Sequence, residues 1–152
     1  WVKAKMVELI KDYNKWYGLR YEIIYFYNVY GENHISEGNY ATVIGIFERQ
    51  YKNNEPLTVV FDGKQSRQFT HIKDIVNALG MILKQNRNKE WYLSSDKDYC
   101  IIDVARMFTD NIQMIPSRKG ERYEAVSIKN DTKEILGWEI EHNLEDYINE
   151  QK

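Results

Sequence analysis

Apolar side chains recur along the chain in two alternating patterns, one typical of helices and one typical of strands. In residues 1–17 they fall three and four positions apart, which predicts an amphipathic helix. Residues 21–27 are apolar except for Glu22, and such a run is typical of a strand buried on both faces of a parallel sheet. The two patterns continue downstream and predict helices at 40–51, 73–85, 100–110, 131–137 and 143–150, and strands at 58–61, 68–72 and 91–93.

Strands that alternate with helices in this way indicate an α/β architecture. Residues 28–39, which contain two glycines, are predicted to form a loop. An Asp-Gly turn at 62–63 lies between the strands at 58–61 and 68–72, so we expect these two strands to pair. Such a pair would hold Arg67 on a rim, where its guanidinium group can face an anion.

Composition and charge narrow the classes of protein that remain. Two prolines in 152 residues and a hydrophobic content of 43% are typical of a globular chain and not of a disordered one. The net charge of -2 gives no support to a nucleic-acid partner. No apolar run approaches the ~20 residues that span a bilayer, so we expect no membrane partner and a cytoplasmic protein.

Few residues could form a disulfide or a metal site. Cys100 is the only cysteine in the sequence, which excludes an internal disulfide and a cysteine-based zinc site. The histidines at 34, 71 and 142 show no metal-ligand spacing, and we therefore predict no metal.

Four short segments carry a stronger indication of function. In chain order they are Asn28-Val-Tyr-Gly31, the stretch from Thr58 to Asp74, Arg118-Lys-Gly-Glu121 and Leu136-Gly-Trp138. They resemble the C-terminal half of the extended short-chain dehydrogenase/reductases, in particular the NAD-dependent sugar-nucleotide epimerases and dehydratases. The resemblance implies the C-terminal part of a Rossmann-type enzyme with a small α/β substrate-binding lobe.

The resemblance also implies a division of the chain. Residues 1–31 would be the last helix and strand of an NAD-binding Rossmann domain, and residues 32–152 the nucleotide-sugar-binding lobe, with the helix at 73–85 packed back on the Rossmann sheet. The sequence has no Gly-x-x-Gly-x-x-Gly cluster after a strand, and its first helix is amphipathic from Trp1 onwards. We therefore expect a longer protein, and we expect the apolar faces of the first helix and strand to be exposed in this chain.

By the same resemblance the cofactor is NAD, and Lys3 is the one catalytic residue in the chain. The family's helix carries Tyr-x-x-x-Lys before a Tyr-Gly-Leu-like ending, so the Tyr-Gly-Leu at 17–19 places the lysine at Lys3 and the tyrosine before the first residue. This lysine would bind the nicotinamide ribose and favour the tyrosine phenolate. A simpler interpretation of Lys3 is an exposed lysine on a helix. Phe26, Tyr27 and Asn28 would lie on the nicotinamide side.

The resemblance further implies that several segments bind a nucleotide-sugar. The residues concerned are Asn28, Asn39, Tyr40, Thr58, Val60, Arg67, Arg118 and Glu121. Arg67 and Arg118 would hold the diphosphate, and Glu121 would reach a ribose hydroxyl. Thr58 and Val60 would lie along the edge of the nucleobase.

Simpler interpretations of some of these residues remain open. Asn28 could serve a turn, and Asn39 could cap the helix that follows it. Arg67 could form a surface ion pair with a neighbour such as Asp62.

The most specific function that the resemblance implies is that of a 4-epimerase acting on a UDP-sugar, as a homodimer. A nucleotide-sugar 4,6-dehydratase or reductase is the alternative within the family. From another class comes a non-catalytic module that binds a nucleotide diphosphate or a partner protein. We expect the chain alone to show no NAD-dependent turnover, because the tyrosine and the dinucleotide site are not in its sequence.

Overall fold

The structure, a computed structural model, describes residues 1–117 and 131–152. In chain order the elements are α1 (Val2–Tyr17), β1 (Glu22–Phe26), β2 (Asn28–Tyr30), α2 (Val43–Lys52), β3 (Leu57–Val60), β4 (Ser66–His71), α3 (Ile72–Ile82), β5 (Lys89–Leu93), β6 (Asp98–Cys100), α4 (Ile101–Phe108), β7 (Ile112–Ile115), α5 (Thr132–Leu136) and α6 (Leu144–Glu150). Helices and strands are mixed along the chain and most strand pairs are parallel, which confirms the predicted α/β class.

The strands of the described residues form three small groups. β1 pairs with β5 and β3 with β7, both in parallel, while β4 lies between parallel β2 and antiparallel β6. The predicted pairing of β3 with β4 across the Asp-Gly turn is wrong. The amides that begin α4 hold this turn open, since Ile102 N–H donates to the Gly63 carbonyl at 2.9 Å and Ile101 N–H to the Gln65 carbonyl at 3.0 Å. The chain therefore leaves β3 without folding back on it, and β7 becomes its neighbour.

Three short strands lie where the sequence pattern predicts none. The loop predicted at 28–39 is wrong in its first three residues, because β2 pairs with β4 from Asn28 opposite Phe69 to Tyr30 opposite His71. β6 and β7 have three and four residues. Segments of this length are too short to show a period, so the neighbouring strand decides that they are extended.

Two hydrophobic clusters hold these elements together. The larger one joins α2, α4 and α6 to β3, with Phe47, Leu57 and Ile148 among its buried residues. The smaller one packs two fully buried tryptophans, Trp91 and Trp138, against α3. The first cluster forms one wall of the cavity described below.

The first helix and strand are far more exposed than either cluster. No residue of α1 is buried, and β1 is half-buried until Phe26, which is 52% exposed. This confirms the expected exposure of the apolar face of α1, whereas in β1 only Phe26 is exposed. Burial of β1 on both faces is not seen among the residues that the structure describes. Within 1–117 and 131–152, no helix is long and apolar enough to cross a membrane.

Candidate functional site

A cavity of about 580 Å³ opens between the start of α2 and the strands β2, β3 and β4. Its size is in the usual range for small-molecule sites. Five residues predicted from the sequence line it together: Tyr27, Asn28, Thr58, Val60 and Arg67. These residues come from three separate strands and the residue before one of them, so the fold brings together what is distant in the sequence.

Arg67 is the cation among the described residues that line this cavity. It is half-buried on β4, where it lies opposite Tyr99 of β6, and its Nη1 donates to the Ser66 carbonyl at 2.7 Å. Asp62, the neighbour considered as an ion-pair partner, accepts a hydrogen bond from Lys64 N–H at 3.2 Å and lies 3.7 Å from the Lys64 ammonium. A guanidinium group keeps its charge at all ordinary pH values, so it gives the cavity a fixed positive group.

The N-terminus of α2 lies at the same cavity. Ala41, Thr42 and Val43 line it, and the Thr42 hydroxyl accepts a hydrogen bond from Gly45 N–H at 3.1 Å. The free amides of a first helical turn favour an anion. This part of the cavity is therefore suited to a negatively charged ligand group.

Asn39 and Tyr40 do not line this cavity. Both are exposed, and α2 begins only at Val43. The alternative of an Asn39 helix cap is wrong, because Thr42 has the extended backbone of a cap residue and its hydroxyl satisfies the amide. The helix terminus thus lies three residues downstream of the predicted position.

A glutamine that the sequence interpretation overlooked fixes the width of the cavity. Gln50, buried on α2, donates through Nε2 to Thr58 Oγ1 at 3.0 Å and accepts from Thr58 N–H at 3.1 Å. These bonds tie β3 to α2. Two residues after Thr58, Val60 of β3 pairs with Ile115 of β7. Together these two residues form an apolar wall of the cavity. The sequence offered one indication of this role, since Gln50 is a polar residue on the apolar, inner face of a predicted helix.

Asn28 and two glutamines complete the polar lining and its support. Asn28 Nδ2 donates to the Gln68 carbonyl at 3.1 Å, so one amide hydrogen joins β2 to β4. Gln68 itself is buried and points away from the cavity lining. Gln65 lines the cavity, although sequence analysis gave it no role.

His71, near the opposite end of β4, has a structural role. Its Nδ1 accepts from Lys73 N–H at 3.2 Å and caps α3, and its ring stacks on His142 with the centroids 4.6 Å apart. Burial lowers the pKa of His71, which favours the neutral ring that this cap requires.

Of the four residues predicted to bind the cofactor, two line the cavity and two lie outside it. Tyr27 and Asn28 line the cavity, Phe26 is exposed at the carboxyl end of β1, and Lys3 is exposed on the first turn of α1 and does not line the cavity. An exposed ring beside a strand end is accessible to a ligand, since ligands of α/β sheets bind outside the carboxyl ends of strands. Arg118 and Glu121, also predicted to bind substrate, lie outside the described residues.

Comparison with known proteins adds to this geometry. Residues 2–93 match the NAD dependent epimerase/dehydratase family. A putative UDP-glucose 4-epimerase of Methanocaldococcus jannaschii is 31% identical over 93% of this chain and 47% of its own length. UDP-glucuronic acid decarboxylase 2 of Arabidopsis thaliana is 27% identical over 90% of this chain and 32% of its own length.

The fold is shared with solved structures. The UDP-glucose 4-epimerase of Thermotoga maritima, solved with UDP-glucose, superposes with a TM-score of 0.89 at 22% identity, covering 96% of this chain and 49% of that one. The chain thus spans from about a third to about half of the length of these proteins.

Proposed function

The chain belongs to the NAD-dependent epimerase/dehydratase family, and from this premise we propose that it supplies the nucleotide-sugar-binding part of such an enzyme, a 4-epimerase acting on a UDP-sugar. The observation that carries the proposal is the cavity that joins Arg67 to the N-terminus of α2. The M. jannaschii and T. maritima relatives support the choice of epimerase.

The cavity lining includes a charged part and an apolar part, which suit the two parts of a nucleoside diphosphate. Arg67 and the first amides of α2 would bind the diphosphate, because a planar guanidinium group can donate two parallel hydrogen bonds to phosphate oxygens. The apolar wall of Val60 and Ile115 would pack on the flat nucleobase. In the longer protein, Arg118 and Glu121 would add contacts to the diphosphate and a ribose hydroxyl.

NAD would contact this chain only at its nicotinamide end. When bound, the cofactor supplies a hydride acceptor for the sugar. Phe26 and Tyr27 would pack beside the nicotinamide, and Lys3 would hold its ribose. The exposed position of Phe26 at the end of β1 supports this placement.

The proposal extends to organisation and location. Residues 1–31 would belong to the NAD-binding domain and residues 32–152 to the substrate lobe, with α3 packed back on the first domain. In support, α3 shares its hydrophobic cluster with β5, the parallel partner of β1. A cytoplasmic homodimer, which the resemblance implies, is part of the same proposal.

Calorimetric titration of the 152-residue chain with UDP, and separately with NAD, tests the anion site. Replacing Arg67 by Ala should weaken UDP binding by roughly 1.5–3 kcal/mol, the usual worth of charge-assisted hydrogen bonds. Arg67→Lys should restore only part of the loss, because an ammonium group has no planar fork. NAD should bind only weakly to the parent chain and to both variants, because the sequence has no dinucleotide-binding glycine cluster.

Lys64→Ala is the matched control, since it removes an exposed cation three residues earlier that does not line the cavity. It should bind UDP as the parent does. Equal UDP affinity in the parent and in Arg67→Ala would show that Arg67 is a surface group and that the proposed diphosphate site is wrong.

A further inference from the structure

Gln65 is a buried polar residue whose hydrogen bonding is incomplete. Its side chain lines the cavity and the residue is only 2% exposed, yet Oε1 has no hydrogen-bond partner among the described residues. An acceptor removed from water without a partner is costly, and native proteins rarely keep one without a reason. A ligand that donates a hydrogen bond inside the cavity would remove this cost.

The backbone fixes where Gln65 points. Its carbonyl accepts from Ile101 N–H at 3.0 Å, which anchors the residue to the start of α4 just before β4 begins. Gln65 immediately precedes β4 and Arg67 is the second residue of that strand, so the start of β4 brings both residues to the cavity. Both side chains line the one cavity.

Arg67 and Gln65 differ in the hydrogen bonds that they can make to a ligand. Arg67 offers only donors and suits an anion, while the unpaired atom of Gln65 is an acceptor and needs a donor. An ionised diphosphate carries no donor. The groups attached to either side of the diphosphate in a nucleotide-sugar are sugars, which carry hydroxyls.

We infer that Gln65 accepts a hydrogen bond from a sugar hydroxyl next to the diphosphate and so helps the cavity to distinguish nucleotide-sugars from bare phosphates. This inference rests on the proposed function of the cavity. The hydroxyl can come from the ribose or from the sugar beyond the diphosphate, and the ligands of the test separate these two sources.

Gln68, within β4, provides a matched control three residues downstream. It is also buried, its Oε1 also lacks a partner among the described residues, and it does not line the cavity. Replacement of either glutamine by Met keeps an unbranched side chain of similar length and removes the amide. Only Gln65→Met should change ligand binding, whereas both should change stability similarly.

The experiment is calorimetric titration of the parent chain and these variants with pyrophosphate, UDP and UDP-glucose. Gln65→Met should bind pyrophosphate as the parent does and UDP-glucose roughly 3- to 10-fold more weakly, the range of one neutral hydrogen bond. A loss already present with UDP identifies the ribose hydroxyl, and a loss seen only with UDP-glucose identifies the outer sugar. Gln68→Met should bind all three ligands normally.

Gln65→Glu keeps an acceptor oxygen in place and serves if the Met variant is poorly folded. Its negative charge should weaken all three ligands, and pyrophosphate most because it carries the largest charge, so the ratio of UDP-glucose to pyrophosphate affinity should not fall below that of the parent. A fall in this ratio would overturn the acceptor role.

Unchanged UDP-glucose affinity in Gln65→Met, or an equal loss with pyrophosphate, would also overturn the inference. If Arg67→Ala has its expected effect in the same experiment, the proposed function stands and only the role of Gln65 fails. If the parent chain binds none of the three ligands, both are wrong.

Discussion

The helices α1 and α2 are both amphipathic, yet the fold packs them very differently. α1 has 16 residues and buries none, while α2 has 10 residues and buries five. The inner face of α2 lies against β3 and α4 and forms part of the cavity wall. An apolar stripe therefore shows that a helix can be covered, and the rest of the fold decides whether it is.

The polar contacts of α1 and α2 differ in the same way, since those of α2 are more buried than those of α1. α2 is joined to β3 by hydrogen bonds between the buried Gln50 and the half-buried Thr58. The contact of α1 with the sheet includes an ion pair between Lys11 and Glu90, and the Lys11 side chain remains 41% exposed. The region around the cavity is thus fixed by buried contacts, and the region around α1 depends on contacts that water can reach.

The largest expected difference in stability between the two regions concerns tryptophan, which occurs both in the buried cluster around α3 and on the exposed α1. Trp138 is 1% exposed and its indole N–H donates to the Asp74 carbonyl at 3.0 Å, whereas Trp16 on α1 is 62% exposed. Trp138→Ala should lower the free energy of unfolding by about 3–5 kcal/mol, because it leaves a large cavity and an unpaired carbonyl. Trp16→Ala should change it by less than about 0.5 kcal/mol.

Urea denaturation followed by far-UV circular dichroism measures both variants. Similar losses for the two tryptophans would mean that α1 is packed as tightly as the cluster around α3, and the contrast between the regions would be wrong.

Much of this contrast is readable from the sequence, because long elements carry a period. The predicted helix at 73–85 agrees with α3, whose Ile75, Ala78 and Ile82 face the core. Strand pairing is harder, since an Asp-Gly turn is a local preference. The hydrogen bonds of Ile101 and Ile102 that hold this turn come from a helix nearly forty positions downstream.

Only some of the residues that form the cavity could be predicted from the sequence. Arg67 and Thr58 were placed by their motif, and the structure brings both to one cavity. Gln50 and Gln65 were not given a role, because their importance comes from burial, and the sequence does not show which polar residues the fold encloses. The helix cap predicted at Asn39 is wrong because Asn and Thr are both good caps and only the start of α2 distinguishes them.

A smaller difference in stability is expected between two aspartates, one buried and one on α1. Asp74 is 2% exposed and its carboxylate accepts from the backbone amides of Glu141 at 3.3 Å and His142 at 3.2 Å. Asp74→Ala should cost roughly 1.5–3 kcal/mol of stability, because these amides lose a charged partner. Asp74→Asn should cost less, since one acceptor oxygen remains.

Asp12→Ala is the matched control on α1, where the carboxylate pairs with Lys15 of the same helix at 3.1 Å. It should leave urea stability nearly unchanged. The comparison fails if Asp12→Ala costs as much as Asp74→Ala.

The smallest expected effect concerns the attachment of α1 itself. The hydrogen bond from Lys11 lowers the pKa of Glu90, and the hydroxyls of Tyr25 and Tyr92 also donate to this carboxylate, at 2.9 Å and 3.2 Å. Because the folded-state pKa is depressed, the pair stabilises the docked helix above the ordinary pKa near 4.5. Its contribution is lost as the pH falls through the folded-state pKa.

Glu90→Gln isolates this charge, since an amide oxygen can still accept from the tyrosines. At neutral pH it should raise amide hydrogen exchange in α1 by less than roughly fivefold, the worth of a partly exposed ion pair, and leave exchange in α2 unchanged. Glu8→Gln, which removes a carboxylate that pairs with Lys5 within α1, should leave the docking of the helix intact. After correction for intrinsic exchange rates, the difference between Glu90→Gln and the parent should disappear below the folded-state pKa of Glu90. A difference that persists in acid would show that the variant acts through packing, and that α1 is attached by more than a solvent-accessible charge.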